Sequence, residues 1–340
     1  MQFLQVCPKD HPPFKDICSY YGKAARQIGL SCTTIFLQPP ASTPLEGDDV
    51  FYLQAGEQLQ TLINRLVGDP TLIISHRYRA WRQVQATNLK PGKHIFLAHE
   101  FGAFRTWRRR LRLRVSKGAT QLAGVSSAVS LDLQRQTGRE AIVIPNVVDT
   151  LALDKRRLSR EAAREKLGLP QEGRVIGVVG RLHWWKQPQL ALAGFASANL
   201  ADTHLCFVGS GKEEAALRDM DKNLGTNARF CGFVEDAPAC FKAFDQLLVT
   251  STEREAFGMM TIEALSAGVP VLSSDQPALR EVLGDLGTYI KPLTVAGVAQ
   301  ALQETSDVGT ELDLDVLKDR VERLFSINAL SQKLAELIAR

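Results

Sequence analysis

Two carboxylates in this sequence fall where a bound ligand would need them. Glu255 lies in the polar loop Ser251-Thr252-Glu253-Arg254-Glu255-Ala256, directly after the apolar run Gln246–Thr250. Glu263 follows in a helical segment, with seven residues between the two. Phe257-Gly258 opens that helix, and Met259 and Met260 form its first turn. Unpaired N–H groups and the helix dipole attract an anion to such an end. A ligand with both phosphates and hydroxyls satisfies an anion site flanked by carboxylates, and a sugar nucleotide is that kind of molecule.

Gly180-Arg181-Leu182-His183-Trp184-Trp185-Lys186 continues directly from the apolar strand Arg174–Val179. Arg181 and Lys186 thus sit past a strand's carboxyl end, where open α/β sheets bind ligands. A guanidinium fork and an ammonium point charge both suit phosphate, although single surface cations are commonly only solvated. Phe207-Val208-Gly209-Ser210-Gly211 runs a strand into a glycine turn that either admits a ligand or only shapes the chain. Neither GxGxxG nor GxxxxGK[ST] occurs, which argues against a dehydrogenase and a nucleotide hydrolase. His76 and His99 both end strands in the first half, and each suits either a ligand contact or a backbone hydrogen bond at the sheet edge.

Residues 104–117 carry seven basic side chains and no acid. Phe104, Trp107, Leu111 and Val115 recur at helical spacing among them. Such a helix fits an anionic membrane surface, with its own domain as the competing partner. No nucleic-acid-binding motif accompanies it, so nucleic acid is not expected.

These residues need a scaffold of alternating strands and helices, and the sequence reads that way throughout. Expected strands of the first half are 3–7, 33–37, 71–75, 95–98, 121–125 and 141–144. Those of the second are 174–180, 203–208, 228–233, 246–250, 269–274 and 287–290, before one long helix over 315–340. The 340 residues exceed an ordinary single core. The expected domains are 1–165 and 166–320, with 321–340 returning to the first. Charge divides likewise: the first 165 residues hold 24 Lys/Arg and 14 Asp/Glu, the remainder 17 and 23. A basic half and an acidic half point to different partners. The six cysteines show no CxxC and read as reduced buried thiols of a cytoplasmic protein. No apolar run reaches membrane-spanning length, and no signal peptide is evident.

Taken together, Pro145-Asn146-x-x-Asp149, Gly180-Arg181-Leu182 with Lys186, Phe207-Val208-Gly209-x-Gly211, Phe230–Val234, Glu255-x-Phe257-Gly258, Glu263-Ala264 and Ala267-Gly268-Val269-Pro270-Val271 resemble the retaining GT-B glycosyltransferases of family 4. The resemblance covers the second half and thins in the first, where the His99 and Asn146 positions align. It implies an α/β GT-B fold, two doubly wound Rossmann-like domains facing a cleft, with the donor held mainly by the second. In that family the Arg181 and Lys186 positions bind the departing diphosphate, Glu255 the sugar hydroxyls and Glu263 the ribose. Gly180, Gly209, Gly211 and the N–H groups of Phe257, Gly258, Met259 and Met260 line the donor, with Asn146 beside it and His99 at the reacting face. It implies transfer from a nucleotide sugar, most commonly a UDP-sugar, to a glycan or glycolipid acceptor such as a lipopolysaccharide core. Neither a cofactor nor a metal is expected. The protein would then be cytoplasmic, peripheral on the inner face of the membrane. An epimerase, a phosphorylase or a non-catalytic sugar-nucleotide binder on the same fold are the alternatives. The loop Pro8–Asp16 lacks the family's early glycine pair, so the acceptor site does not carry over, and Gln187 and Val147 stand where the family favours glycine.

Overall fold

The structure is a computed structural model, described for all residues except 11–12, 41–43, 46, 48, 117–118, 308–313 and 340. Lys117, part of the loop Pro8–Asp16 and Arg340 therefore fall outside the described residues. The chain forms two compact units, Met1–Val147 with Phe325–Arg340, and Val148–Leu324.

Seven parallel strands build the first sheet: β1 Gln2–Cys7, β2 Ser31–Phe36, β3 Val50–Tyr52, β4 Leu72–His76, β5 Lys93–Ala98, β6 Thr120–Gly124 and β7 Ala141–Val143. They lie in the order β3-β2-β1-β4-β5-β6-β7. Val6 stands in register with Ile35 on one side and Ser75 on the other. Strands covered on both faces read as apolar runs. In β1, Phe3, Leu4, Val6 and Cys7 are all fully buried. Gln5 interrupts them and is fully buried too. It survives there because its amide donates to the Cys18 carbonyl at 2.7 Å and to Thr34 Oγ1 at 2.8 Å.

The second sheet has β8 Arg174–Val179, β9 Thr203–Val208, β10 Arg229–Phe230, β11 Gln246–Val249, β12 Val271–Ser274 and β13 Thr288–Ile290, in the order β10-β9-β8-β11-β12-β13. All pairings described in both sheets are parallel. Each sheet starts centrally and grows outward in both directions, the doubly wound pattern. Its reversal point lies between β1 and β4 in the first sheet and between β8 and β11 in the second. Ile176, Leu205, Phe207 and Leu248 pack with Val298 and Leu302 of the helix Val295–Asp307 in one core cluster.

Three expectations shift. The domain boundary falls at 147/148 instead of 165/166, because residues 148–173 are fastened to the second unit. Leu158 N–H donates to the Ala239 carbonyl at 3.0 Å. The fully buried Arg164 donates to the carbonyls of Ala243 and Gln171, at 3.1 and 2.8 Å, and pairs with Asp245 at 2.8 Å. The long helix over 315–340 is two helices, Leu314–Phe325 and Ile327–Ala339. Ser326 is buried at the break, where its hydroxyl accepts Ala329 N–H at 3.2 Å and caps the second helix. That second helix lies on Phe14–Gln27, with Ser331 Oγ donating to the Ala24 carbonyl at 3.1 Å. The expected strand 228–233 shrinks to the two residues of β10, and β3 appears where no strand was expected.

Candidate functional site

In the second unit the carboxyl ends of β8 and β11 lie side by side at the reversal point. The loop after β8 makes a single 3₁₀ turn, Trp184–Lys186, closed by Gln187 in the left-handed region at φ +46°. The loop after β11 is tied to it. Thr250 Oγ1 donates to the Lys186 carbonyl at 2.9 Å, and Thr252 N–H to the Trp185 carbonyl at 2.7 Å. Both backbones are thus fixed before any side chain meets.

Lys186 Nζ reaches Glu255 Oε2 at 2.5 Å and Met260 Sδ at 3.8 Å. Ser251 Oγ donates to the same Glu255 oxygen at 2.9 Å. Lys186 and Glu255 are only 17% and 11% exposed. Burial alone would raise the Glu255 pKa. The Lys186 charge and hydrogen bond, with those of Ser251 and Phe257 N–H, outweigh it and hold the carboxyl below its ordinary value. Gly180, Arg181, Lys186, Thr250, Ser251 and Met260 line a small pocket at this point. Arg181 is exposed at its rim.

The helix Met259–Ser266 starts at Gly258, whose φ of +89° and 2.6 Å approach of a would-be Cβ to Leu279 both require glycine. Phe257 is buried at the start of this turn. Met260 and Glu263 share a helix face at i, i+3 spacing, so the half-buried Glu263 lies one turn beyond the residue that touches Lys186. Gly209 and Gly211 serve packing. A Cβ on either would meet the carbonyl of Gly180 at 2.0 Å or of Leu182 at 1.9 Å. They let β9 and its following loop run against the residues that carry Arg181.

The other expected residues form a cluster in the first unit, at the carboxyl ends of β4 and β5. His76 Nδ1 and His99 Nε2 are 3.0 Å apart, and His76 Nε2 faces Gln5 Oε1 at 3.3 Å. Burial drives the His76 pKa down to about 3. Burial, then the neighbouring His76 and Arg77, hold His99 well below its ordinary value. The Asn146 side chain interacts with His99 and acts in the opposite sense, drawing its pKa partly back up. Arg77, directly after β4, takes a left-handed φ of +69°. That conformation costs a non-glycine residue about 1–2 kcal/mol.

The structure thus brings Gly180, Arg181, Lys186, Glu255, Gly258 and Met260 together, and separately His99 with Asn146. Sequence reasoning overlooked Ser251, although it lies four residues before Glu255 in the same loop, and Gln5, although a lone amide in an apolar strand must have partners. His76 was noted as a strand-end residue; its pairing with His99 joins strands across the sheet.

The basic segment forms the helix Trp107–Arg114, capped by Thr106 Oγ1 on Arg109 N–H at 3.4 Å. Phe104 is not part of an exposed stripe; it is buried against Tyr78, Trp81 and Phe96. Leu113 turns inward, while Trp107, Leu111 and Val115 are 63%, 50% and 70% exposed. Beside them an open groove of about 500 Å³ carries Arg110, Arg114, Arg135 and Arg139 on its walls. Among the described residues no helix is long and apolar enough to cross a membrane.

Residues 159–307 match the family of glycosyl transferases group 1. A phosphatidyl-myo-inositol mannosyltransferase from Mycolicibacterium smegmatis is 31% identical over 175 residues, covering 48% of this chain and 42% of the relative. A 2-deoxystreptamine glucosyltransferase from Streptomyces kanamyceticus is 30% identical over 253 residues, covering 72% and 63%. The chain spans about half the length of the curated relatives it matches first. In fold it is similar to a glycosyltransferase from Rickettsia africae, with a TM-score of 0.79, 18% identity and coverage of 99% and 97%. Anabaena HepE crystallised with UDP gives a TM-score of 0.76 at 21% identity, with 100% of both chains covered. The motif residues of the second unit lie inside the segment that matches the glycosyl transferases group 1 family, and the two doubly wound parallel sheets give the chain the GT-B fold.

Proposed function

We propose that the protein is a retaining glycosyltransferase that moves a sugar from a nucleotide sugar to a cell-envelope glycan or a lipid-linked acceptor, a lipopolysaccharide core being one such acceptor. The observation that carries this reading is the buried Lys186–Glu255 pair, set at the reversal point of the second sheet beside the exposed Arg181 and the start of the helix Met259–Ser266. Breaking a sugar–phosphate bond releases a diphosphate. Preorganised cations and N–H dipoles stabilise such a charge as it develops. Arg181, Lys186 and the N–H groups from Phe257 to Met260 would meet the diphosphate, with Gly180, Gly209 and Gly211 keeping the backbone close. Glu255 would take sugar hydroxyls and Glu263 the ribose. The sugar's configuration would be kept by attack on the face the diphosphate leaves, its oxygen accepting the proton. Two cations and a helix start give the leaving group counter-charge without a metal.

UDP-sugars are the donors we favour, since the similarly folded HepE was crystallised with UDP and with UDP-glucose. The lipid-linked acceptor is favoured by the exposed Trp107, Leu111 and Val115 on an arginine-rich helix, a surface suited to the anionic inner face of a membrane. A panel of UDP-, GDP- and ADP-sugars tests the donor directly. A bound nucleotide sugar should raise the melting temperature of the full chain, and Lys186→Ala should abolish the shift. No shift with any member sinks the proposal.

A further inference from the structure

Two cysteine sulfurs of the second sheet lie 3.5 Å apart in unlike surroundings. Cys206, within β9, is fully buried, whereas Cys231, just past the end of β10, is half-buried. Cys206 stands in register with Arg229, and Cys231 N–H extends the ladder by donating to the Phe207 carbonyl at 2.9 Å. Side chains two apart on a strand share a face, which puts Arg229 and Cys231 on the same side. The guanidinium is fixed there. Its Nε donates to the Leu167 carbonyl at 3.0 Å, and its Nη2 would lie 2.6 Å from a Cβ on Gly168. A hydrogen bond with Cys206, then the Arg229 charge and hydrogen bond, outweigh burial and draw the Cys231 pKa down to about 7. The same hydrogen bond, then burial, push Cys206 up. A thiolate beside a guanidinium and within reach of solvent is the reactive form of cysteine. Cys7, Cys18, Cys32 and Cys240 are all buried, which leaves Cys231 as the accessible thiol.

We propose that Cys231 and Cys206 are a reversible redox pair: hydrogen peroxide oxidises Cys231, Cys206 closes the disulfide, and a dithiol reopens it. The Cys231 thiolate attacks one peroxide oxygen. An S–O bond forms, the O–O bond breaks, and hydroxide leaves and takes up the proton Cys231 had lost. The Cys206 sulfur then attacks the Cys231 sulfur. An S–S bond forms, the S–O bond breaks, and a second hydroxide leaves with the Cys206 proton as water. Two thiols together lose two electrons, and one peroxide becomes two waters. A disulfide holds its sulfurs about 2.05 Å apart, so this pair must close by about 1.5 Å. Cys206 is fixed within a strand paired on both sides, so Cys231 is the one that moves. Its neighbour Gly232 accepts Gly209 N–H at 2.7 Å, and Gly209 packs on the Gly180 carbonyl. Closure therefore loosens the turn Gly209–Gly211 against the loop that carries Arg181. Donor affinity would fall with it, and that consequence alone rests on the function proposed above.

Peptide mapping of the full chain after hydrogen peroxide, without reductant, reads the pair directly. The expected result is a Cys206–Cys231 crosslink that forms before any other and disappears with dithiothreitol. A Cys231 that bonds Cys240 instead, stops at a stable sulfenic acid or stays unoxidised overturns the proposal without any variant. Cys206→Ser should leave Cys231 as a sulfenic acid that dimedone traps, and Cys231→Ser should leave Cys206 unmodified. The reverse pattern overturns the assigned roles. Arg229→Gln should slow alkylation of Cys231 by iodoacetamide at pH 7 several-fold, and an unchanged rate removes the guanidinium from the pair. Hydrogen exchange over residues 207–211 should quicken on oxidation and return on reduction. Exchange that does not change overturns the coupling to the turn. UDP-glucose, GDP-mannose or ADP-glucose, whichever raises the melting temperature of the reduced chain, should raise it less in the oxidised one. An equal rise overturns the effect on the donor. If none binds, the proposed function fails while the crosslink and the exchange rates still decide this inference.

Discussion

Lys186 sits between the Glu255 carboxylate and the Met260 thioether, so a diphosphate entering the pocket competes with a partner already in place. Lys186→Ala should lower turnover about 10²–10³-fold, the usual loss when one group stabilising a developing charge is removed. Glu255 keeps hydrogen bonds from Ser251 and Phe257 in that variant, so the fold should persist by circular dichroism. Wild-type turnover in a folded Lys186→Ala would remove Lys186 from the chemistry. Gln187 poses a different question. It takes a left-handed backbone where the family favours glycine, and its side-chain Oε1 is buried without a partner. Gln187→Gly trades roughly 1–2 kcal/mol of left-handed strain against roughly 1 kcal/mol of extra unfolded-state freedom. Chemical denaturation should find it neutral or slightly stabilised, and a clear loss of stability would show that the Gln187 side chain supports the Lys186 turn.

The helix Trp107–Arg114 makes a prediction at its own scale. Replacing Arg108, Arg110, Arg112 and Arg114 with Gln removes four charges from exposed positions of this short helix, where each cation near an anionic bilayer contributes about 1 kcal/mol. Flotation with vesicles rich in anionic lipid should show strong loss of binding by that variant, and weakened binding of the wild type in high salt. Equal binding by both would refute the membrane role. What the sequence could show of this helix was its composition and period. Its outward face was decided by neighbours: Phe104 is drawn into an aromatic cluster with residues more than 20 positions earlier, and Leu113, not Leu111, faces the core. Strands were legible for the opposite reason. Central parallel strands are apolar on both faces, so β1, β8 and β9 announce themselves. β3 is three half-buried residues at a sheet edge and has no such signature. At the site, Arg181, Lys186 and Glu255 were readable because strand ends mark where ligands bind. The packing role of Gly209 and Gly211 depends on carbonyls of the neighbouring loop that no local pattern reveals.

Acid should act on the whole molecule through its buried histidines. Burial lowers His76 to about 3 and His94 to about 4, and His99 falls well below its ordinary value. In the unfolded chain each titrates near 6.5, so below that pH the unfolded state binds protons that the folded state refuses. Stability is complete above about pH 6.5 and declines below it, by up to about 1.4 kcal/mol per pH unit for each such histidine until its folded pKa is reached. Glu255, with its pKa lowered, adds a loss of the same sign once the pH falls below its ordinary value of about 4.3. The urea midpoint should therefore fall between pH 7 and pH 5. His94→Gln, at a site bonded to Ser75 and Gln85, should fall less steeply. A flat midpoint over that range would mean that these rings are not held neutral.

The buried Ser326 break has a consequence for how the protein is made. Val148–Leu324 is one uninterrupted stretch, whereas the first unit needs both Met1–Val147 and Phe325–Arg340. A ribosome completes the second unit before it releases the helix Ile327–Ala339. Until then the helix Phe14–Gln27 lacks the neighbour that accepts its packing at Ala24. The first unit to be synthesised is the last to be finished, so the emerging chain must carry an uncovered apolar face through the whole synthesis of the second unit.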